Sequence, residues 1–243
     1  MGVYSNRLTA EVRLERMTPE QIAAARARRP AIYVPCGSIE WHGYHNAVGL
    51  DALKAHEQLV GLAQQHGGVV YPPLYLGAGG GHTEWPSSFM VSRGPMVQLV
   101  SELLHGFERD GYRQAILLSG HYPNHPEYQQ AAVDRYRATG GKMRVLSLIE
   151  NQVPGVEGDH AAKQETSSML YLHPNLVHIE RLLDGPQDDI GGPNERINFM
   201  VDEYRGHPCY GLVGVDPRTH ASAAEGRANT ERLLDYLARW LDE

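Results

Sequence analysis

The chain has 243 residues, 42% of them hydrophobic and 21% charged, which is enough apolar material to bury one sizeable core. Its 22 Lys and Arg stand against 29 Asp and Glu, a formal charge of −7 that offers a polyanion no electrostatic foothold and argues against nucleic acid as a partner. Two cysteines can form at most one bridge, and neither a membrane-length apolar run nor a signal-peptide pattern occurs, so the expectation is a cytoplasmic protein with no membrane partner and one domain spanning residues 1–243.

In chain order, Thr18 to Arg28 reads as a helix, with Thr18 and the following Glu20-Gln21 as its start signal. Ala31 to Cys36 (AIYVPC) is a strand that runs into Gly37-Ser38. Asp51 precedes a helical stretch from Ala52 to Gln65, closed by His66-Gly67-Gly68, and Val69 to Tyr71 is a short strand. After the glycine-rich segment Gly77 to Gly81, Pro95 opens a helix that ends at Asp110-Gly111 and carries Val97, Leu99, Val100, Leu103, Leu104 and Phe107 on one broad face. Gln114 to Leu118 (QAILL) is almost uniformly apolar, as a buried parallel strand must be. A helix from Glu127 to Ala138, a strand from Arg144 to Ile149, an exposed loop from Gly185 to about Pro193 and a final helix from Ser222 to Leu241 complete the chain. Strands alternating with helices imply an α/β fold with a mostly parallel central sheet.

Histidine is abundant, 13 in all, and several stand beside Glu, Asp and Gly rather than in apolar runs. Glu40 and His42 follow the first strand at a spacing of two, so in extended backbone both point the same way, toward the carboxyl edge of the sheet where open α/β folds bind ligands. Asp51 follows nine residues later at a helix start, and His121 comes immediately after the buried strand ending at Leu118. Asp159-His160 and Glu165 form a third group. Carboxylates and imidazoles without thiolates suit Zn²⁺, Mn²⁺ or Fe²⁺. Each residue also has a plainer reading: Glu40 as a solvated strand end, Asp51 as an N-cap, His121 as a strand terminator, His160 and Glu165 as helix-start residues on the dipole. Cys36 reads as a small core residue. The glycine-rich segment lacks the Lys-Ser/Thr of a phosphate loop and the dinucleotide spacing, and no G-x-S-x-G elbow occurs.

Four ordered blocks resemble the creatininase family: Pro35-Cys36-Gly37-Ser38-Ile39-Glu40-Trp41-His42-Gly43-Tyr44-His45 with Gly49-Leu50-Asp51; His82-Thr83-Glu84-Trp85-Pro86-Ser87-Ser88; Ser119-Gly120-His121-Tyr122-Pro123-Asn124; and His160-Ala161-Ala162 to Glu165-Thr166-Ser167. The resemblance implies a three-layer α/β/α sandwich, a homo-oligomer, often a hexamer, and a hydrolytic site of one or two divalent metals. By motif position Glu40, His42, Asp51 and His121 would be ligands, with Asp51 the bridge; His160 and Glu165 would serve catalysis, and Tyr122, His82 and Trp85 the substrate. One departure bears on the second metal. The family's type member has a Glu where this chain has Pro123, so that Glu165 becomes the candidate to complete the second position. The implied reaction is attack of water on the carbonyl of a small cyclic amide or formamide. The alternatives are hydrolytic C–C opening of a cyclic polyol diketone and a metal-binding relative without catalysis.

Overall fold

A computed structural model describes residues 10–80, 83–188 and 191–243. Four strands, β1 (Ala31–Cys36), β2 (Val69–Val70), β3 (Gln114–Ser119) and β4 (Arg144–Ile149), form a parallel sheet in the order β2-β1-β3-β4. Alternation along β1 separates two cores: Ile32, Val34 and Cys36 face one side, Ala31 and Tyr33 the other. The first side is covered by helices α1 (Pro19–Arg28), α3 (Arg93–Asp110) and α4 (Gln130–Ala138), through residues such as Ala25, Leu104, Phe107 and Val133. The second is covered by α2 (Leu50–His66) and the C-terminal helix, through Ala55, Leu59, Leu62, Leu233 and Leu237. Helices on both faces of a parallel sheet make the three-layer α/β/α arrangement that the sequence implies.

Helix α5 (Lys163–Leu172) is followed by a small antiparallel ribbon of β5 (Arg196–Asn198) and β6 (Val213–Val215), then by α6 (Pro217–His220) and α7 (Ala223–Asp242). The ribbon reaches the main body where His160 and Val213 exchange backbone hydrogen bonds of 2.8 and 3.0 Å. Most elements begin and end within a residue or two of the sequence expectation. Two differ for local reasons. Helix α4 starts three residues late because His125–Gln129 winds as a wide π turn, and α2 starts earlier than expected, with Gly49 as its N-cap, which places Asp51 inside the first turn. Among the described residues no helix is long and apolar enough to cross a membrane.

Two glycines set the junction of sheet and helix. A Cβ on Gly37 would lie 2.2 Å from the backbone nitrogen of Ala52, and one on Gly120 would lie 2.2 Å from the carbonyl oxygen of Asp51. These glycines follow β1 and β3 directly, so the first turn of α2 rests on the carboxyl ends of two neighbouring strands. Any larger residue would lift Asp51 off that edge.

Candidate metal centre

Glu40, His42, Asp51, His121 and Glu165 converge at this edge, all buried. Asp51 is the hub. Its Oδ1 lies 3.1 Å from His42 Nε2, while its Oδ2 lies 3.3 Å from His121 Nδ1 and accepts a 2.5 Å hydrogen bond from Ser38 Oγ. His121 Nδ1 is also 2.7 Å from Glu40 Oε2, and His42 Nε2 is 3.6 Å from Glu165 Oε2. The ring of His42 is oriented by Nδ1, which donates to the carbonyl of Glu40 at 3.0 Å and so aims Nε2 at the carboxylates. The N-cap reading of Asp51 is thereby replaced: its carboxylate serves the cluster, and the cap position of α2 is held by Gly49, which has no side chain to contribute.

Three groups of three donors have ligand atoms within 4.8 Å of one another: two share Asp51, namely Glu40, Asp51 and His121, and His42, Asp51 and Glu165, and the third joins Glu40, His42 and His160. Oxygen and imidazole donors at such spacing fit a divalent ion of the Zn²⁺, Mn²⁺ or Fe²⁺ type. The charge pattern agrees. Burial opposes a charge on His42, but Asp51, Glu165 and Glu40 outweigh it and push its pKa up to about 9. Against the same opposition Asp51 and Glu40 hold His121 at about 10. Burial alone would raise Asp51, yet the two imidazoles keep its carboxyl well below the usual carboxylate range. The cluster thus pairs buried carboxylates with protonated imidazoles, whose protons a metal would displace.

His160 stands at the rim, half-buried. Its Nε2 donates to the carbonyl of Trp41 at 3.0 Å, its ring lies 4.7 Å from that of His42, and the ribbon holds its backbone. The next residue, Ala161, adopts a left-handed φ of 52°, an uncommon conformation for a residue with a Cβ. That turn lets the Ala161 N–H donate to Glu165 Oε2 at 2.7 Å. Asp159 accepts hydrogen bonds from the N–H groups of Gln164 and Glu165, at 2.6 and 3.2 Å, and thereby steadies the start of α5. Burial, and after it Glu165, pushes the Asp159 carboxyl up to about 7.

A cavity of about 240 Å³ opens over the cluster, lined by Glu40, Asp51, His121, Tyr122, His160 and Glu165 among others. Tyr122, expected from the sequence at the substrate, is one of the residues that line it. Trp85 packs against Trp41 and Tyr210, with ring centroids 5.8 and 4.6 Å away, and does not line this cavity. His82 lies outside the described residues. Cys36 is a buried core residue whose thiol burial pushes up to about 11.

Three supporting residues have no role in the sequence expectation. Ser38 tethers Asp51. Asn124 ties the site's loops together, accepting from the Ala78 N–H at 2.9 Å and donating to the Gly37 carbonyl and Ser119 Oγ, both at 3.1 Å. Lys54, buried on α2, reaches Glu150 and Glu165. The first two stand within the quoted blocks, where their spacing was visible. Lys54 had only one signal, its position three residues after Asp51 on the same helix face.

Comparison with known proteins agrees with this geometry. The sequence profile of the family described as Creatininase: Creatinine amidohydrolase matches residues 15–241. A creatinine amidohydrolase of Pseudomonas putida is 28% identical over 179 residues, covering 64% of this chain and 69% of its own. A mycofactocin precursor peptide peptidase of Mycolicibacterium smegmatis is 27% identical over 225 residues, 87% of this chain and 85% of its own. A 3-dehydro-scyllo-inosose hydrolase of Thermotoga maritima is 26% identical over 255 residues, 94% of this chain and 82% of its own. Among solved structures, creatinine amidohydrolase (creatininase) superposes with a TM-score of 0.76 at 24% identity, covering 96% of this chain and 97% of that one, which is a likeness of fold.

Proposed function

The chain belongs to the creatininase family, and on that ground we propose that it is a metal-dependent hydrolase that cleaves a C–N bond in a small cyclic amide or formamide. The observation that carries the reading is the sharing of Asp51: one carboxylate faces two triads of ligands from opposite oxygens, on the floor of a cavity of about 240 Å³. A space of that size lies at the small end for ligand sites and suits a small substrate. Glu40, Asp51 and His121 would hold one ion, His42, Asp51 and Glu165 a second. Divalent ions so placed supply Lewis acidity for a carbonyl and bring the pKa of water toward neutrality. Solved creatininase structures of a "Zn-Zn type" and of "Creatininase Mn" support either metal.

The chain's own groups then divide the work. Asp51 keeps both positions in register. His160 lines the cavity, with Nε2 donating to the Trp41 carbonyl, and its imidazole is the group to carry a proton to the leaving nitrogen. Glu165 is held on both oxygens by donors and serves as a ligand rather than as a mobile acid. Tyr122 and Pro123 complete the wall. Two of the relatives above are named for amide or peptide hydrolysis, which favours C–N cleavage. The relative named as an inosose hydrolase matches 94% of this chain and keeps C–C ring opening as the second reading.

The test is elemental analysis of the purified protein followed by substrate depletion over a panel of lactams, formamides and cyclic diketones. One or two divalent ions per chain and turnover of a lactam or formamide are expected. Turnover of diketones alone selects the second reading, and full activity after chelation overturns both. Metal binding with no turnover anywhere on the panel would point instead to the relative without catalysis. We also propose a cytoplasmic homo-oligomer, which light scattering of a monomer mass would refute.

A further inference from the structure

Lys54 follows Asp51 by three residues on α2, on the same helix face, and its side chain is 1% exposed. Its ammonium donates to Glu150 Oε2 at 2.6 Å and to Glu165 Oε1 at 3.2 Å, and lies 5.3 Å from the centre of the Tyr122 ring. Glu150 takes a further hydrogen bond from Gln58. An ammonium and two carboxylates buried together are costly to desolvate, and apolar residues of similar size commonly match such a group in stability. Stability alone therefore does not account for it.

The division of labour on Glu165 does. Oε1 is taken by Lys54, while Oε2 accepts the Ala161 N–H at 2.7 Å and faces His42 Nε2 at 3.6 Å. With either donor missing, the carboxylate can turn about its last torsion, which is soft. On the Glu40 and His121 side the tether is of another kind, the neutral hydroxyl of Ser38. We propose that Lys54 is a positioning residue for one ion only: its ammonium pins Glu165 so that Oε2 stands beside His42 and Asp51, and the His42, Asp51 and Glu165 position depends on it whereas the Glu40, Asp51 and His121 position does not. This rests on the two-ion reading of the centre.

The experiment is calorimetric titration of metal-stripped protein with Mn²⁺ alone, with elemental analysis for stoichiometry. Wild type takes two ions. In K54M the ion at the Glu165 position binds about 10- to 100-fold more weakly, the usual consequence of removing a partner that orients a ligand, while the other ion binds as before. Because K54M strands Glu150 as an unpaired buried carboxylate and endangers the fold, the double variant K54M/E150Q is made alongside it and is expected to show the same selective loss. E165Q identifies which ion is affected. Equal weakening of both ions in a folded variant overturns the proposal, as does an unchanged second ion in K54M/E150Q. A wild type that binds a single ion also overturns it while leaving a one-metal hydrolase standing; a wild type that binds none removes the metal reading itself.

Discussion

The two oxygens of Asp51 look onto halves of the centre that are built differently. On the Oδ2 side the partners Glu40 and His121 follow adjacent strands whose pairing runs in register to Cys36 and Ser119, and a further hydrogen bond comes from the neutral Ser38 hydroxyl. On the Oδ1 side Glu165 arrives from α5 through a left-handed residue, Ala161, and is steadied by a buried ammonium. One half inherits its geometry from sheet hydrogen bonds. The other shares the β1 edge through His42 but takes Glu165 from a distant segment that a buried charge steadies, so changes around Glu165 should register there first.

The change that abolishes the comparison is Asp51→Asn, which weakens the shared ligand of both halves. Both ions should be lost, and turnover should fall about a thousandfold, the equivalent of roughly 4 kcal/mol of charge stabilisation. The fold should hold, since Gly49 rather than Asp51 caps α2. Elemental analysis and a thermal melt on the same sample decide it: a variant that melts early yet stays metal-loaded and active returns Asp51 to a structural role.

Next in size is His160→Ala. About a hundredfold loss of turnover with metal content unchanged is expected of His160 as a proton carrier rather than as the third member of the Glu40 and His42 donor group. Loss of metal would make His160 a ligand, and wild-type turnover would leave it a loop anchor through its bond to Trp41.

A smaller effect sharpens the contrast from the strand side. Ser38→Ala removes the 2.5 Å hydrogen bond to Asp51 Oδ2 and should weaken the Glu40 and His121 ion about tenfold while sparing the other, the mirror of the Lys54 result. Calorimetric titration reads both ions at once, and a loss confined to the Glu165 side would invert the assignment. The mildest change is Ala161→Gly. Relief of the left-handed strain is opposed by the larger freedom of an unfolded glycine, so folding stability should move by less than about 1 kcal/mol. Denaturant melts test that figure. Loss of the strand-side ion in this variant would show that the halves are not independent.

Much of this was readable from the chain. β1 and β3 announce themselves as short apolar runs that end at Gly37 and Gly120, β4 follows Gly140-Gly141, and the five clustered residues sit at fixed offsets from those strands or within ordered motif blocks. Asp51 was ambiguous because an acidic residue near a helix start fits an N-cap as well as a ligand, and only the position of Gly49 separates the two. The ribbon β5–β6 was invisible: three residues per strand in a polar, glycine-rich stretch carry no period-two pattern. Lys54 and Glu150 went unnoticed for a different reason. Their local sequence resembles a solvated surface, and their burial is decided by α5 and the start of the segment after β4, which come together only in the folded chain.

The close seating of α2 on Gly37 and Gly120 has a dynamic consequence. Two hydrogen bonds border this contact from either side: Gly120 N–H to the Cys36 carbonyl at 3.0 Å continues the pairing of β1 with β3, and Leu53 N–H to the Gly49 carbonyl at 3.1 Å closes the first turn of α2. With backbone packed on backbone there is no side chain whose rotation could relax the contact. Opening the Asp51 environment therefore requires parting helix from sheet, and amide exchange at these two positions should proceed near the rate of whole-chain unfolding rather than by local fluctuation. An ion held there would slow both together, since whatever binds only the folded chain stabilises all of it.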